Sequence, residues 1–305
     1  MKELIKKSPL LMRAVKRCGL FLKAYFPKFR AKLAYRVAYG KRCDLKHPTT
    51  FSEKMLWLSL HTYRKNYTVM TLCDKYLVRE YVAKQAGEQY LNKLFYVFQN
   101  IEVIDFKLLP QQFALKISQG CATNIFCTNK NEYGEERFRS VLHEWASGQR
   151  LYDKVMADVG GIPRKDLPKY YICEEYLKED GKSSPTDYKI YCFNGIPKAI
   201  LVISDRFENK TGLFMTPDWK VLSELSNTYK KPSVVYPRPA SLDTMIDIAK
   251  KLSAPFPFVR VDMYDINGKA IFGEMTFFPN GCVHLQETMV DGKTMGDLLE
   301  LPISQ

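Results

Sequence analysis

The chain has 305 residues, of which 46% are hydrophobic and 26% charged, a composition that excludes general disorder and is long enough for about two domains. No run of 18 or more apolar residues occurs, so we expect no transmembrane helix. Basic residues interrupt the apolar positions near the N-terminus, whereas the apolar core of a signal peptide is continuous. Residues 1–46 contain 14 basic and two acidic side chains, so this segment carries nearly all of the net charge of +13.

The N-terminal segment has the pattern of an amphipathic basic helix over residues 9–25, ending at Pro27, followed by a second basic stretch from Lys28 to Arg42. Three interpretations are open: a helix on an anionic membrane surface, a helix docked on the body with a solvated basic face, or a nucleic-acid-binding arm. Because the rest of the chain is almost neutral, we expect no nucleic-acid partner. Residues 1–46 are the candidate contact with the inner face of the cytoplasmic membrane.

Apolar periodicity predicts two helices between Thr50 and Gly87, and alternating strands and helices from Phe113 onward. The polar stretch from Lys178 to Pro185 predicts a subdomain boundary, and two Asn-Gly hairpins follow with a helix over residues 241–252 between them. The predicted fold class is α+β. The predicted units are a basic segment, an N-terminal region, a small subdomain and a catalytic subdomain, at residues 1–46, 47–112, 113–180 and 181–305.

The eight cysteines form no C-x-x-C pair and no Cys/His group with zinc spacing. Several lie in apolar, strand-like segments, where a free cysteine behaves as a small buried hydrophobe. We therefore expect free thiols and a reducing compartment, with disulfide pairing as the alternative.

The second Asn-Gly hairpin carries the residues with the clearest chemistry. Its first strand alternates so that Arg260 and Asp262 share one face, and a three-residue loop would pair Arg260 with Glu274 and keep apolar side chains together. A two-residue turn would instead direct Glu274 to the apolar face. The expected polar face therefore carries Arg260, Asp262, Glu274 and Thr276, and its oxygen ligands suit Mg²⁺. The alternative is a surface ladder of ion pairs.

Other segments supply weaker signals for a nucleotide site. Lys116 lies on a strand before a small-residue loop that runs from Gly120 to Asn124, where backbone N–H groups can hold phosphate. An ordinary hairpin has the same pattern. Glu174 and Glu175 end the next apolar strand, either as ligands of adenine and ribose or as a solvated strand end. Further along, Asp187 and Lys189 share one face of a strand.

These segments together resemble the TupA-like (teichuronopeptide biosynthesis) family of the ATP-grasp superfamily. The resemblance runs from about Asp44 to Leu301 and rests on the phrases at residues 50–58, 74–82, 113–116, 174–177, 187–195, 205–207, 256–262 and 272–279. It implies that two α+β subdomains grip ATP. By this resemblance, Lys116 and Lys189 would contact the phosphates, and the loop Gly120–Asn124 would cover them. Glu174 and Glu175 would lie at the adenine and the ribose. Asp262 and Glu274 would bind Mg²⁺, and Arg260 would face the transferred phosphoryl group.

The chain departs from the family pattern at two places. The loop after Lys116 holds one glycine where the family has more, which implies weaker covering of the phosphates. Thr276 stands where the wider superfamily has asparagine, which makes a second Mg²⁺ site poorer.

The resemblance implies an ATP- and Mg²⁺-dependent carboxylate–amine ligase that forms an acyl phosphate. Its substrate would be a carboxylate on a small-molecule or lipid-linked sugar or on an amino acid, in cytoplasmic synthesis of a cell-surface polysaccharide such as a capsule. Weaker candidates for the substrate side are Asp187, Asp205, Arg206 and Lys75. The alternatives are a sugar kinase with Asp187 or Asp205 as base, a glycosyltransferase, for which no D-x-D pair occurs, and a non-catalytic degenerate ATP-grasp module.

Overall fold

The structure is a computed structural model that describes residues 26–120, 123–146, 169–179, 182, 184–204, 210–222, 229–230, 232–233 and 235–302. The predicted helix over residues 9–25 and the candidate substrate residues Asp205 and Arg206 lie outside these ranges. Among the described helices, none has the length and apolar character needed to cross a bilayer.

The N-terminal part is helical, as the apolar pattern predicts. Its helices are α1 (Pro27–Tyr39), α2 (Phe51–His61), α3 (Tyr67–Leu72) and α4 (Val78–Gln85). Pro27 begins α1 in its first turn, where the missing N–H has no helical partner, and Gly40 ends it with a left-handed φ of 70°.

A four-stranded antiparallel sheet follows, with strand order β1-β4-β2-β3. Its strands are β1 (Leu94–Phe98), β2 (Phe113–Ile117), β3 (Asn124–Cys127) and β4 (Tyr171–Glu174), and two helices, α5 (Lys130–Tyr133) and α6 (residues 135–146), lie between β3 and β4. One face packs on α6 through a small core that includes Phe113, Leu115, Phe138 and Leu142. β1 is an edge strand of this sheet, although it lies in the predicted 47–112 region.

A five-stranded antiparallel sheet with the order β7-β6-β5-β8-β9 forms the second layer. Its strands are β5 (Asp187–Phe193), β6 (Ile196–Ser204), β7 (Thr211–Met215), β8 (Phe258–Ile266) and β9 (Lys269–Thr276). α7 (Leu242–Ser253) buries Met245, Ile248 and Leu252 in the main core and covers one face of the sheet. The chain continues through β10 (Met289–Val290), β11 (Lys293–Thr294) and α8 (Met295–Leu298).

The turn of the β8–β9 hairpin differs from the expected one. It is the two-residue pair Asn267–Gly268, with left-handed φ values of 53° and 78°, rather than a three-residue loop. The expected pairing of Arg260 with Glu274 is therefore wrong, because Arg260 lies opposite Thr276.

A β-bulge restores the shared polar face. Met263 lies opposite Phe272, whereas Asp262 lies opposite Glu274, so Gly273 is an extra residue on β9. A Cβ at Gly273 would come within 2.9 Å of the Asp262 carbonyl oxygen, which explains why glycine occupies the bulge. The inserted residue flips the side chains that follow, and Glu274 faces the same side as Asp262.

The cysteines agree with the expectation of free thiols: Cys43, Cys73, Cys127, Cys173, Cys192 and Cys282, all within the described ranges, form no disulfide. Burial raises the pKa of Cys173 and of Cys192 to about 12, so neither thiol ionises near neutral pH.

The Glu53 carboxylate organises the entry to α2. It accepts hydrogen bonds from the backbone N–H of Asp44 (3.0 Å) and of Thr50 (3.2 Å), and it forms a reciprocal capping box with Thr50. Burial acts to raise the pKa of Glu53, but the hydrogen bonds from Asp44, Thr50 and Thr49 outweigh it and hold the pKa below the usual glutamate value.

We expect Glu53→Gln to lower the free energy of unfolding by about 2 kcal/mol at pH 7, because a buried charged acceptor is lost. A depressed carboxyl pKa contributes stability above the unfolded-state pKa and loses it as the pH falls through the folded-state pKa. The difference between wild type and variant in urea denaturation should therefore shrink in acid, below about pH 4. The exposed Glu300→Gln serves as control, and equal stability of all three proteins would contradict the prediction.

Candidate active site

The polar face of the five-stranded sheet is built from two rows of directly opposed residues on β5, β8 and β9. The first row is Lys189, Asp262 and Glu274, and the second is Tyr191, Arg260 and Thr276. Directly opposed residues in antiparallel strands point to the same face with their Cβ atoms close together, so the pairing itself assembles the group. Asp187, two residues before Lys189, extends this face along β5.

Asp262 is the centre of a buried charge network. Its Oδ1 accepts from Nε of Arg260 at 2.6 Å, and its Oδ2 accepts from Nη2 of Arg260 at 2.7 Å and from Nζ of Lys189 at 2.5 Å. Lys189 Nζ also lies 2.7 Å from Oδ2 of Asp187. Only 2% of Asp262 is exposed. The fork of Arg260 fits the carboxylate in a bidentate geometry, which fixes both side chains.

The protonation states of the network follow from these contacts. Burial acts to raise the pKa of Asp262, but Arg260 and Lys189 outweigh it and lower the pKa, so the group is ionised. Burial likewise acts to lower the pKa of Lys189, but Asp187 and Asp262 outweigh it and the pKa is raised. Burial also acts to lower the pKa of Arg260, but Asp262 outweighs it and the pKa is raised. All three groups carry their charges at neutral pH.

Glu274 is the accessible carboxylate of the group, with 41% of its side chain exposed. Its Oε1 accepts from the Thr276 hydroxyl at 2.9 Å and lies 3.6 Å from Nη2 of Arg260, which itself donates to Thr276 at 3.2 Å. Thr276 thus links the carboxylate to the guanidinium.

The residues present fit a magnesium ion. Asp262 and Glu274 are opposed across two strands and offer oxygen ligands only, which are the ligands Mg²⁺ takes. The carboxylates of Asp187, Asp262 and Glu274 and the cations of Lys189 and Arg260 together give this polar face one net negative charge. Among the described residues no group of three or more His, Cys, Asp or Glu side chains has metal-binding geometry. An ion at this face would have these two carboxylates as its candidate protein ligands, with substrate phosphates and waters as the remaining ligands.

Lys116 lies on the outward face of the four-stranded sheet and is held by Glu174. The Lys116 Nζ donates to Oε2 of Glu174 at 2.7 Å, and Arg79 Nη1 donates to Oε1 at 3.1 Å. Glu174 is buried and serves both cations, whereas its neighbour Glu175 is exposed. Asn124 lies directly opposite Lys116 on β3, so both face the same side. Our sequence reasoning missed the role of Arg79, although it lies inside a matching family phrase.

The loop after β2 is anchored from the N-terminal region. The Lys75 Nζ donates to the Gly120 carbonyl at 2.5 Å, and its backbone N–H donates to the Ser118 carbonyl at 2.9 Å. Ser118 Oγ donates to the buried Asp74 carboxylate at 2.7 Å. Lys75, a candidate for the substrate side, contacts the predicted phosphate loop. Asp74 and Ser118 were not recognised in the sequence, because their contact joins residues 44 positions apart.

Gly120 occupies a position with no room for a side chain, since an added Cβ would lie 1.7 Å from Oγ1 of Thr123. We expect Gly120→Ala to displace the loop and weaken ATP affinity at least about fivefold, roughly 1 kcal/mol. Gly120→Ala/Thr123→Ala removes the clashing hydroxyl and should recover part of that loss in calorimetric titration. If the single variant binds ATP as wild type does, the loop has no part in nucleotide binding.

Two groups of predicted site residues emerge. The five-stranded sheet brings together Asp187, Lys189, Arg260, Asp262 and Glu274. The four-stranded sheet and its loop bring together Lys75, Lys116, Gly120, Asn124 and Glu174.

Two antiparallel sheets, one presenting a lysine beside a glycine-containing loop and the other paired carboxylates with cations, are the arrangement that the resemblance to the ATP-grasp superfamily implies. Residues 53–299 match the TupA-like ATP-grasp family, and the chain belongs to that family. A comparison with curated proteins gave no match.

The fold is similar to those of several solved ligases at low sequence identity. D-alanine–D-alanine ligase from Bacillus anthracis complexed with ATP has 13% identity and a TM-score of 0.40, over 68% of this chain and 57% of that one. The enzyme from Helicobacter pylori has 12% identity and a TM-score of 0.39, over 76% and 63%. L-amino acid ligase from Bacillus licheniformis has 11% identity and a TM-score of 0.40, over 70% and 42%. The chain spans less than two thirds of the length of each.

Proposed function

We propose that this protein is an ATP- and Mg²⁺-dependent carboxylate–amine ligase. The observation that carries the proposal is the row of Lys189, Asp262 and Glu274, with Arg260 beside it, on one face of the sheet. This row combines a two-carboxylate site for Mg²⁺ with fixed positive charge for phosphate oxygens. Membership of the TupA-like ATP-grasp family supports the same assignment.

In the proposed reaction a substrate carboxylate attacks the terminal phosphoryl group of ATP, and ADP leaves. An amine then attacks the acyl phosphate, the carbon–oxygen bond to phosphate breaks, and the products are an amide and inorganic phosphate. Lys116 and Lys189 would contact the phosphates, and Arg260 would face the transferred group. Their fixed charges stabilise the negative charge that shifts between oxygens, so no side-chain nucleophile is needed. Asp262 and Glu274 would hold Mg²⁺, and the bound ion would neutralise part of the negative charge of the phosphates.

The other predicted site residues are assigned either to the nucleotide or to the substrate. Glu175, as the exposed acid after β4, is the better of the two glutamates for the ribose, because Glu174 is occupied by Lys116 and Arg79. Gly120 and Asn124 would cover the phosphates. For the substrate side we propose Asp187, together with Asp205 and Arg206.

We propose a carboxylate on a sugar or an amino acid as the substrate, in cytoplasmic synthesis of a cell-surface polysaccharide. The support for this class is the sequence resemblance to the TupA-like (teichuronopeptide biosynthesis) family.

The proposal is tested by trapping with hydroxylamine. Purified protein with ATP, Mg²⁺ and a panel of uronic acids and amino acids should release ADP and form a hydroxamate, because hydroxylamine captures an acyl phosphate. Glu274→Gln is the matched variant and should form none. Release of ADP with a phosphorylated hydroxyl and no hydroxamate would show a kinase instead. Absence of ATP binding in folded wild-type protein would overturn both assignments.

A further inference from the structure

The outward face of α1 is apolar, although the helix is already docked on the body. α1 packs inward through Ala31 and Tyr35, which are 7% and 5% exposed. Phe29, Leu33 and Val37 are 58%, 40% and 67% exposed. These three recur at i, i+4 and i+8 and therefore form one line along the helix, about half a turn away from the buried pair. α1 thus has two apolar stripes, of which the body covers one.

Basic side chains border the exposed stripe. Lys28, Lys32 and Arg36 are exposed on one side of it, and Arg30 lies on the other. None of the ion pairs found among the described residues involves Lys28, Lys32 or Arg36, so acids of the described body do not neutralise them. Residues 26–46, which the structure describes, carry seven basic side chains and one acidic side chain, a charge of +6, so the described chain around the stripe is also cationic.

We infer that this face of α1 docks the protein on an anionic lipid bilayer, with the helix lying in the plane of the membrane surface. Phe29, Leu33 and Val37 would enter the boundary between headgroups and acyl chains, while the bordering basic residues contact anionic headgroups. An apolar stripe edged by Lys and Arg is the arrangement that such an interface binds. Charge complementarity favours an anionic over a neutral membrane, and binding to nucleic acid would leave the apolar line of Phe29, Leu33 and Val37 exposed.

The orientation has a geometric basis. α1 spans about 20 Å and ends at Gly40, close to α2, where Tyr39 donates or accepts a hydrogen bond with Ser52 at 2.7 Å. Tyr35 lies 3.4 Å from Thr50 at the start of α2. These contacts fix α1 to the helical region, so docking of its outer face would hold the whole described body at the surface rather than tether it through a free arm.

The test is sedimentation of the full chain with phosphatidylcholine vesicles, with and without phosphatidylglycerol. Wild type should pellet with the anionic vesicles only, and high salt should release it. Phe29→Gln/Leu33→Gln/Val37→Gln should reduce partitioning at least about a hundredfold, because three apolar side chains lose their burial. Lys28→Gln/Lys32→Gln/Arg36→Gln should reduce it about a hundredfold as well. Glutamine is a good helix former, so α1 itself should persist.

The control is Val103→Gln/Leu108→Gln/Ile196→Gln, which removes three apolar side chains of similar exposure elsewhere and should bind as wild type does. Circular dichroism and the unfolding temperature of each variant check folding. The inference is overturned if wild type does not pellet, or if both α1 variants pellet fully, since residues 1–25 would then suffice. Light scattering measures the oligomeric state. If wild type is a dimer and the α1 variants are monomers, the stripe binds a second copy of this chain and the inference is also overturned.

Discussion

Asp262→Asn should lower the free energy of unfolding by about 3 kcal/mol, because it leaves two buried cations without the carboxylate between them. Nζ of Lys189 and the guanidinium of Arg260 both donate to Asp262, and neither side chain is more than 12% exposed. The loss should fall at the lower end of the range for broken buried ion pairs, since Asp187 still contacts Lys189. Urea denaturation at pH 7 measures it.

The pH dependence gives a second readout of the same variant. The pKa of Asp262 is lowered, so its charge stabilises the fold above the unfolded-state pKa, and this contribution is lost as the pH falls through the folded-state pKa. The stability difference between wild type and Asp262→Asn should hold from pH 7 to about pH 5 and narrow only below about pH 4. A variant as stable as wild type at pH 7 would show that the network adds nothing to the fold.

Glu274→Gln should have the opposite profile: nearly unchanged stability but strongly weakened binding of ATP in the presence of Mg²⁺. Glu274 is 41% exposed and its ion pair with Arg260 is long, at 3.6 Å, so we expect its loss to cost less than about 1 kcal/mol of unfolding free energy. As the exposed carboxylate of the proposed pair, it should contribute at least tenfold to the Mg²⁺-dependent affinity, about 1.4 kcal/mol.

Calorimetric titration of ATP with and without Mg²⁺ into wild type, Glu274→Gln and Glu102→Gln makes this measurement. Glu102 is an exposed acid outside the site and controls for the loss of one negative charge. Weaker binding of ATP by Glu274→Gln only when Mg²⁺ is present would support the carboxylate pair as the ion site. Equal Mg²⁺-dependent affinity in all three proteins would contradict it.

The two variants separate roles that the sequence presents as one. Asp262 and Glu274 look equivalent in the alternating pattern of the hairpin, yet their surroundings differ. Asp262 is enclosed by Arg260 and Lys189, whereas Glu274 lies on β9, the edge strand of its sheet. Burial rather than residue type gives Asp262 a structural role that Glu274 lacks.

The prediction that Arg260, Asp262 and Glu274 share one face of the hairpin is correct, but the strand register that was predicted with it is wrong. The alternation of apolar and polar residues required Arg260, Asp262 and Glu274 on one side, and the structure agrees. The means differs, because a two-residue turn and a bulge at Gly273 replace the expected three-residue loop. Hydrophobic pattern constrains which face a residue occupies, but several combinations of turn and bulge satisfy the same pattern.

By itself, the sequence determined the fold class and the family of this protein: the α+β elements, the concentration of nearly all the net positive charge in residues 1–46, and the family phrases with their candidate acids and lysines. These features are local, and short windows of residues encode them. The tertiary structure alone decided that Lys189 joins Asp262 across 73 positions, that Arg79 and Lys116 share Glu174, and that Lys75 anchors Gly120. Such contacts depend on strand order and on the packing of segments distant in the chain, which no local periodicity specifies.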